Sequence, residues 1–319
     1  GAPHQLGGGE FRQLNRRPGR PRYFPPGLAT RAESTGLDSL KWPKSRECQL
    51  LTKVYQWLPQ GWRLRIEDLY VSLLSRGIGE LRDPSVSVEE AEATTSLSVV
   101  VPVHDAPEET RRCLLSLQRF SGTAEVILVD DGSTDQMASE IVTDFAQRND
   151  WKALRHEVGS FHSGACMAGA KLVTRPVMCL LNSDTVVTQN SWSLCVRALL
   201  DKDGPIAVVP GMAADPGSQC DLRAYRCRAS WRDETIFAYA EQRRRRFGSC
   251  GVRRSRSYLG GAALFLRKAD WDRVGGFAGC RLHYGNDEDL CRKLVAAGGW
   301  LGVCDGAYVH HLGGRSAPR

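Results

Sequence analysis

The 319-residue sequence contains no apolar run that approaches the ~20 residues needed to span a bilayer. Val177 to Leu181 is among the longest, and it is only strand-sized. Gly1 to Arg20 mixes Arg, Gly, Pro and Gln and lacks the apolar centre of a signal peptide. Gly in first place, where an initiator Met would stand, suggests a processed fragment. The 11 cysteines include no C-x-x-C pair and no zinc-like spacing, which argues against a zinc module. Cys113, Cys166, Cys179, Cys195 and Cys291 fall in core-like segments and read as free, buried thiols of a reducing compartment. Cys220, Cys227, Cys250 and Cys280 fall in loop-like sequence, where pairing stays open for a secreted or lumenal protein. A phosphate-cradling loop is missing too. Gly164-x-x-x-x-Gly169 imitates one, but Ala170 stands at the required Lys and Lys171 at the required Ser or Thr, and no dinucleotide fingerprint occurs.

What is present is the composition of a soluble globular protein, 42% hydrophobic and 25% charged, with a length suited to one large α/β domain plus an appendage. The expected location is cytoplasmic, or peripheral to a membrane. A net charge of +7 favours anionic partners such as nucleoside diphosphates, lipid phosphates or nucleic acid. Nucleic acid is set aside, because no recognition motif or aromatic-studded sheet accompanies the charge.

Residues 1–47 are rich in Gly, Pro and Arg without hydrophobic period, and read as an extended or disordered segment. Residues 48–95 read as a helical appendage and linker. Leu50, Leu51, Val54, Tyr55 and Leu58, then Leu64, Ile66, Leu69, Tyr70, Leu73 and Leu74, recur at helical spacing around a Pro59-Gln60-Gly61 break. Its basic faces suit either packing on the main domain or peripheral contact with a membrane. The acidic stretch Val88 to Thr95 reads as the linker.

At Ser96 the pattern changes. Leu97 to Val103 is a β-branched run of the kind found in buried parallel strands, followed by a helix over Pro107 to Phe120. A strand at Glu125 to Val129, a helix at Gln136 to Gln147, a helix after Ser163 and a strand at Val177 to Leu181 continue the alternation. The expectation is a Rossmann-type, mostly parallel sheet flanked by helices. Ligands of such sheets bind beyond the carboxyl ends of the strands. Three strands end in polar clusters there: Val103-His104-Asp105, Asp130 to Asp135, and Asn182-Ser183-Asp184-Thr185. One acidic strand end is usually a helix cap, and Ser133 or Asp135 suits that role. Three on one rim repel one another and call for a cation or for donors on a ligand. A nucleotide held without a phosphate loop needs a divalent metal on its diphosphate, and Asp184 suits Mg²⁺ or Mn²⁺.

In order and spacing, seven segments resemble the family 2 glycosyltransferases, which share the GT-A fold. They are Ser98 to Asp105, Val129 to Asp135, Leu180 to Thr185, Gly260-Gly261 before an apolar strand, Val274 to Phe277, Tyr284 to Leu290 and Val309 to Gly314. The resemblance covers residues 96 to 314. It implies a nucleotide-sugar-binding half at 96–212 and an acceptor and catalytic half at 213–319. By it, Asp131 reads the nucleotide base, with Pro102, Val103, Asp105 and Ser183 around it. Asn182-Ser183-Asp184 stands in place of the D-x-D motif with its first acid lost, leaving Asp184 as the carboxylate on Mn²⁺ or Mg²⁺. His311 is the histidine that joins the metal, with His310 a close second. Asp287 takes the place of the base that deprotonates the acceptor hydroxyl in an inverting transfer, with Asp289 or Glu288 able to share the role, since the usual Glu is Asn286. Helix capping by these acids is the bland alternative, and the two are compatible.

Gly260, Gly261, Glu288 and Trp231 are the candidate acceptor contacts. Between Asp221 and Ser257 many arginines, Arg243 to Arg246 among them, suit either an anionic acceptor or donor diphosphate, or a solvated loop. The aromatics among them, Trp231 included, suit sugar stacking or an ordinary amphipathic helix. The expected reaction moves a sugar from a UDP- or dTDP-type donor to a glycan, lipid-linked sugar or protein. The alternative, motivated by Asn182 and Asn286, is an inactive relative that binds glycan or serves as a scaffold.

Overall fold

The structure, a computed structural model, describes residues 76–212, 230–255, 258–278 and 285–313, together with Leu69, Leu73, Ala224 and Arg228. Residues 1–47 and nearly all of the expected helical appendage lie outside the described residues. So do Cys220, Cys227 and Cys280.

The first described helix, α1 (Val88–Thr94), occupies the stretch read as a linker. Ser87 caps it by accepting the Glu90 N–H at 3.3 Å, and Ala93 and Thr94 turn inward. The acidic composition suggested a solvated connector, but Glu90 is buried at 4% exposure because it caps another helix. Its Oε2 accepts the N–H groups of Trp192 and Ser193 at 2.9 and 3.1 Å, and its Oε1 the Ser193 hydroxyl at 2.6 Å. That helix, α5 (Ser193–Leu200), has no side-chain cap of its own, so a distant carboxylate supplies one.

Strand β1 (Leu97–Val103) is buried along its whole length, as a β-branched run covered on both faces must be. It leads into α2 (Pro107–Phe120) through Asp105 and Ala106, both at positive φ, 55° and 51°. Pro107 opens α2 where no N–H is needed, and Cys113, Leu114, Leu117 and Phe120 form its inner stripe. β2 (Glu125–Asp130) follows, then α3 (Gln136–Asn149), capped by Asp135 accepting the Met137 N–H at 2.9 Å. β3 (Lys152–Arg155), α4 (Phe161–Ala170) and β4 (Val177–Leu181) complete the first half. Gly164 and Gly169, the imitation phosphate loop, both lie inside α4. A Cβ on Gly169 would collide with Val100 and Val129, so glycine there lets the helix press on the sheet.

The remaining elements are β5 (Thr185–Val187), β6 (Ala207–Met212), α6 (Asp233–Phe247), β7 (Arg253–Arg254), β8 (Ala263–Arg267), α7 (Lys268–Val274), α8 (Asn286–Ala296) and β9 (Leu301–His311). One sheet holds all the described strands in the order β3-β2-β1-β4-β8-β6-β9-β5, with β7 alongside β9. β3, β2, β1 and β4 run parallel, β8 is antiparallel to both β4 and β6, and β6 and β9 are again parallel. Strands of the two sequence halves therefore interleave. Because β8 runs against β4, its entry at Ala263 lies opposite Leu181, which brings Gly260 and Gly261 to the rim where β4 ends. Chain order reverses between β1 and β4, the place where doubly wound sheets open their ligand crevice.

The cysteines Cys113, Cys166, Cys179, Cys195, Cys291 and Cys304 are buried free thiols, and Cys250 is free and exposed. No helix among the described residues is long and apolar enough to cross a membrane.

Candidate active site

The rim begins at β1. Pro102 and Val103 are buried strand residues paired with Val129 and Asp130 of β2, and the Val103 carbonyl accepts the Asp131 N–H at 2.8 Å. Asp105 turns from the rim to the neighbouring loop. Its Oδ1 accepts the N–H groups of Thr134 and Asp135 at 2.7 and 2.9 Å, so it ties the β1–α2 turn to the β2–α3 turn. Burial works to raise its carboxyl, but those two N–H groups, the Thr134 hydroxyl and His104 hold it below its ordinary value. The positive φ values at Asp105 and Ala106 are tolerated because this bridge over-determines the turn.

Asp131 is 4% exposed and heavily engaged on one oxygen. Its Oδ1 accepts the Ser160 N–H at 2.8 Å, the Ser160 hydroxyl at 2.7 Å and His156 Nδ1 at 2.8 Å, while His104 Nδ1 donates to its carbonyl at 3.0 Å. Among the described residues no donor engages Oδ2. One carboxylate oxygen anchors the side chain, and the other is left as an acceptor.

At the end of β4, Ser183 and Asp184 are buried at 2% and 1% exposure. Asp184 Oδ1 lies 3.1 Å from His311 Nε2, at the end of β9. His311 Nδ1 is buried without a partner among the described residues. His310 points the other way and is fully buried. Its Nδ1 takes the Tyr308 hydroxyl at 2.8 Å, its Nε2 donates to the Arg228 carbonyl at 2.9 Å, and its ring stacks on Trp231 at 5.7 Å. Burial above all depresses its pKa to about 3, so it is a neutral core residue with both nitrogens occupied. In this arrangement neither nitrogen of His310, expected as a second candidate for the metal, is open to an ion.

Trp231, expected at the acceptor, is also buried. It packs on Tyr239 at 4.9 Å as well as on His310. The arginines nearby have largely protein partners. Arg243 donates to the Asp305 carbonyl at 3.1 and 2.8 Å, Arg244 and Arg245 pair with Glu241, and Arg253 pairs with Asp305.

The third wall is the start of α8. Asp287 Oδ2 accepts the Gly261 N–H at 2.9 Å. Burial of the carboxyl raises its pKa, opposed by the nearby His162 imidazole and by the Gly261 N–H. Asn286 is buried beside it, Glu288 is exposed, and Asp289 pairs with Arg292 one turn on while its Oδ2 is buried without a partner among the described residues. Gly260 is half-buried on the β8 approach.

The sequence profile described as "Glycosyl transferase family 2" matches residues 98–281, more than half of the chain. The chain belongs to glycosyl transferase family 2. A curated relative, the "Uncharacterized glycosyltransferase YibD" of Escherichia coli (strain K12), is 28% identical over 116 residues, covering 36% of this chain and 33% of that protein. The chain thus spans about a third of the length of the curated relative it matches. Among solved structures, GalNAc-T7 with UDP, GalNAc and Mn²⁺ superposes with a TM-score of 0.52 at 16% identity, covering 80% of this chain and 52% of that one. The mannosyltransferase PcManGT from Pyrobaculum calidifontis, in complex with GDP-Man and Mn²⁺, gives 0.50 at 14%, covering 85% and 68%. These likenesses show a GT-A fold, as the strand-end motifs implied.

Three residues of this glycosyltransferase domain escaped the sequence reading. His156 and Ser160 hold Asp131, and His162, near the start of α4, places Nε2 3.1 Å from Asn182 Oδ1. The signal available was a polar cluster, His156 to Ser163, directly after a strand.

Among the described residues, no group of three or more His, Cys, Asp and Glu converges as a ready-made metal centre. Asp184 and His311 nevertheless fit two neighbouring positions on a divalent ion. Their 3.1 Å separation matches the ~3.0 Å edge of an octahedron with bonds of about 2.1 Å.

Proposed function

We propose that this chain transfers a sugar from a nucleoside diphosphate sugar to an acceptor hydroxyl, with inversion. The observation that carries the reading is the placement at one rim of a buried carboxylate anchored by a single oxygen (Asp131), a carboxylate–imidazole pair (Asp184 and His311) and a carboxyl with raised pKa (Asp287). GalNAc-T7 with UDP and Mn²⁺ and PcManGT with GDP-Man and Mn²⁺ support a nucleotide donor and a divalent cation.

In this reading Asp131 Oδ2 accepts an N–H from the base, a role suited to uracil or thymine. Pro102 and Val103 form the pocket wall, and Ser183 lies between base and diphosphate. Asp184 and His311 hold Mn²⁺ or Mg²⁺, and the mixed oxygen and nitrogen set suits Mn²⁺ better. When bound, the ion stabilises the negative charge that develops on the departing diphosphate. Asp287 takes the proton of the attacking hydroxyl. A base works best with a pKa close to the operating pH, and burial moves Asp287 in that direction. Gly260 and Glu288 border the acceptor side. The acceptor is a glycan, a lipid-linked sugar or a protein.

The test is donor hydrolysis by the purified chain over a panel of nucleoside diphosphate sugars, with and without Mn²⁺. Metal-dependent release of nucleoside diphosphate is expected. Asp287→Asn should retain nucleotide binding and lose turnover. Folded protein that releases nothing from any donor would overturn the enzymatic reading and favour a glycan-binding relative.

A further inference from the structure

Gly261 sits against the Asp287 carboxylate in a way its own backbone does not require. Its φ lies outside the left-handed region, so any residue could adopt the conformation. Space is what demands glycine. A Cβ built there would lie 2.6 Å from Asp287 Cγ and Oδ2, and closer still to Oδ1. The carboxylate therefore occupies the place where a side chain at 261 would be, and the Gly261 N–H donates to Oδ2 at 2.9 Å.

α4 brings two side chains within electrostatic reach of this carboxylate, His162 and Cys166. His162 Nε2 lies 3.1 Å from Asn182 Oδ1, and since that oxygen only accepts, Nε2 carries a hydrogen toward it. Cys166, one turn along α4, places its Sγ 3.7 Å from the same ring nitrogen. The His162 imidazole and Asp287 interact electrostatically, and Cys166 also feels the Asp287 charge. An acid at 182 would compete with Asp287 for His162. An amide holds the ring without doing so.

Resting on the proposed base role of Asp287, we infer that Gly261 is a positioning residue that seats its carboxylate, and that His162, tethered by Asn182, tunes the seated group. Among the described residues, the groups that interact with Asp287 are His162 and Cys166 of α4, Cys291 of its own helix and the Gly261 N–H. Burial chiefly raises both thiols, Cys291 to about 12, so they stay neutral, while the His162 imidazole acts to lower the Asp287 pKa.

Two variants test the seat in the full chain, with UDP plus Mn²⁺ binding and circular dichroism as controls. Gly261→Ala displaces the carboxylate by about an ångström, so kcat should fall on the order of 10²-fold while the donor KM stays near that of the parent. His162→Gln keeps a donor toward Asn182 but removes the titratable ring. Since the imidazole lowers the Asp287 pKa, the acid limb of the kcat–pH profile should move to higher pH. A Gly261→Ala enzyme with kcat within about twofold of the parent, or an unmoved acid limb in His162→Gln, overturns the seat. Should Gly261→Ala fail to fold, the His162→Gln profile decides. A failure of the base role looks different, because Asp287→Asn would then retain turnover.

Discussion

His311 meets Asp184 at 3.1 Å, Nε2 to Oδ1, and the backbone repeats the pairing: the Leu312 N–H donates to the Asp184 carbonyl at 2.9 Å, and Thr185 stands opposite His311 in register. Two side chains carried by one strand pair keep their separation without help from a ligand. Loss of either should weaken Mn²⁺-dependent nucleotide binding by at least ~10-fold, the scale that even outer-shell partners of metals command. Titration calorimetry of Asp184→Ala and His311→Ala with UDP and Mn²⁺ measures this. An unchanged affinity in His311→Ala would remove that histidine from the metal site.

Asp131 should matter for the nucleotide independently of the metal. A hydrogen bond to a charged group contributes about 1.5–3 kcal/mol, so Asp131→Ala should weaken nucleotide binding by roughly 10- to 100-fold. Ser160→Ala should show a smaller loss, because His156 and the Ser160 N–H still hold the carboxylate. Equal losses in the two variants would contradict the division of labour between Oδ1 and Oδ2.

His310 predicts an acid-sensitive fold. Its pKa is about 3 in the folded chain, held down mainly by burial, against about 6.5 in an unfolded one. Between those values the unfolded chain binds the proton and the folded chain does not, so the stability His310 contributes is present above pH 6.5 and is lost as pH falls toward 3. Thermal melting should drop over that window, and His310→Gln should flatten the drop while leaving metal binding intact. Other groups titrate alike in both proteins, so the difference between the parent and His310→Gln over this window is the measure of this histidine.

Glu90 carries a structural prediction. Removing its carboxylate leaves the Trp192 and Ser193 N–H groups buried and unpaired, so Glu90→Ala should cost about 3 kcal/mol in urea unfolding. Catalytic constants measured well below the melting temperature should change little. A loss under 1 kcal/mol would mean that water replaces the cap.

The residues that a single strand end presents were legible without coordinates. Asp131, Asp184 and Asp287 each sit in a short motif whose local context, a buried apolar strand or a helix start, is written in neighbouring positions. What could not be read locally is which partner each one meets. His310 and His311 are adjacent and chemically identical, yet β9 is a strand, and successive side chains point to opposite faces. One ring is sealed against Trp231 and Tyr308, and the other reaches Asp184. Gly261 read as an acceptor contact, because its relation to Asp287, 26 residues later, exists only once β8 is laid antiparallel to β4. His162 and the capping role of Glu90 likewise depend on approaches of 20 and 102 residues in sequence. By itself the sequence determined the alternating elements and the chemistry at their ends, because apolar period and strand-end polarity are local properties. The tertiary structure decided which histidine meets Asp184, what holds Asp287 and what caps α5, because those follow from register and close packing between distant segments.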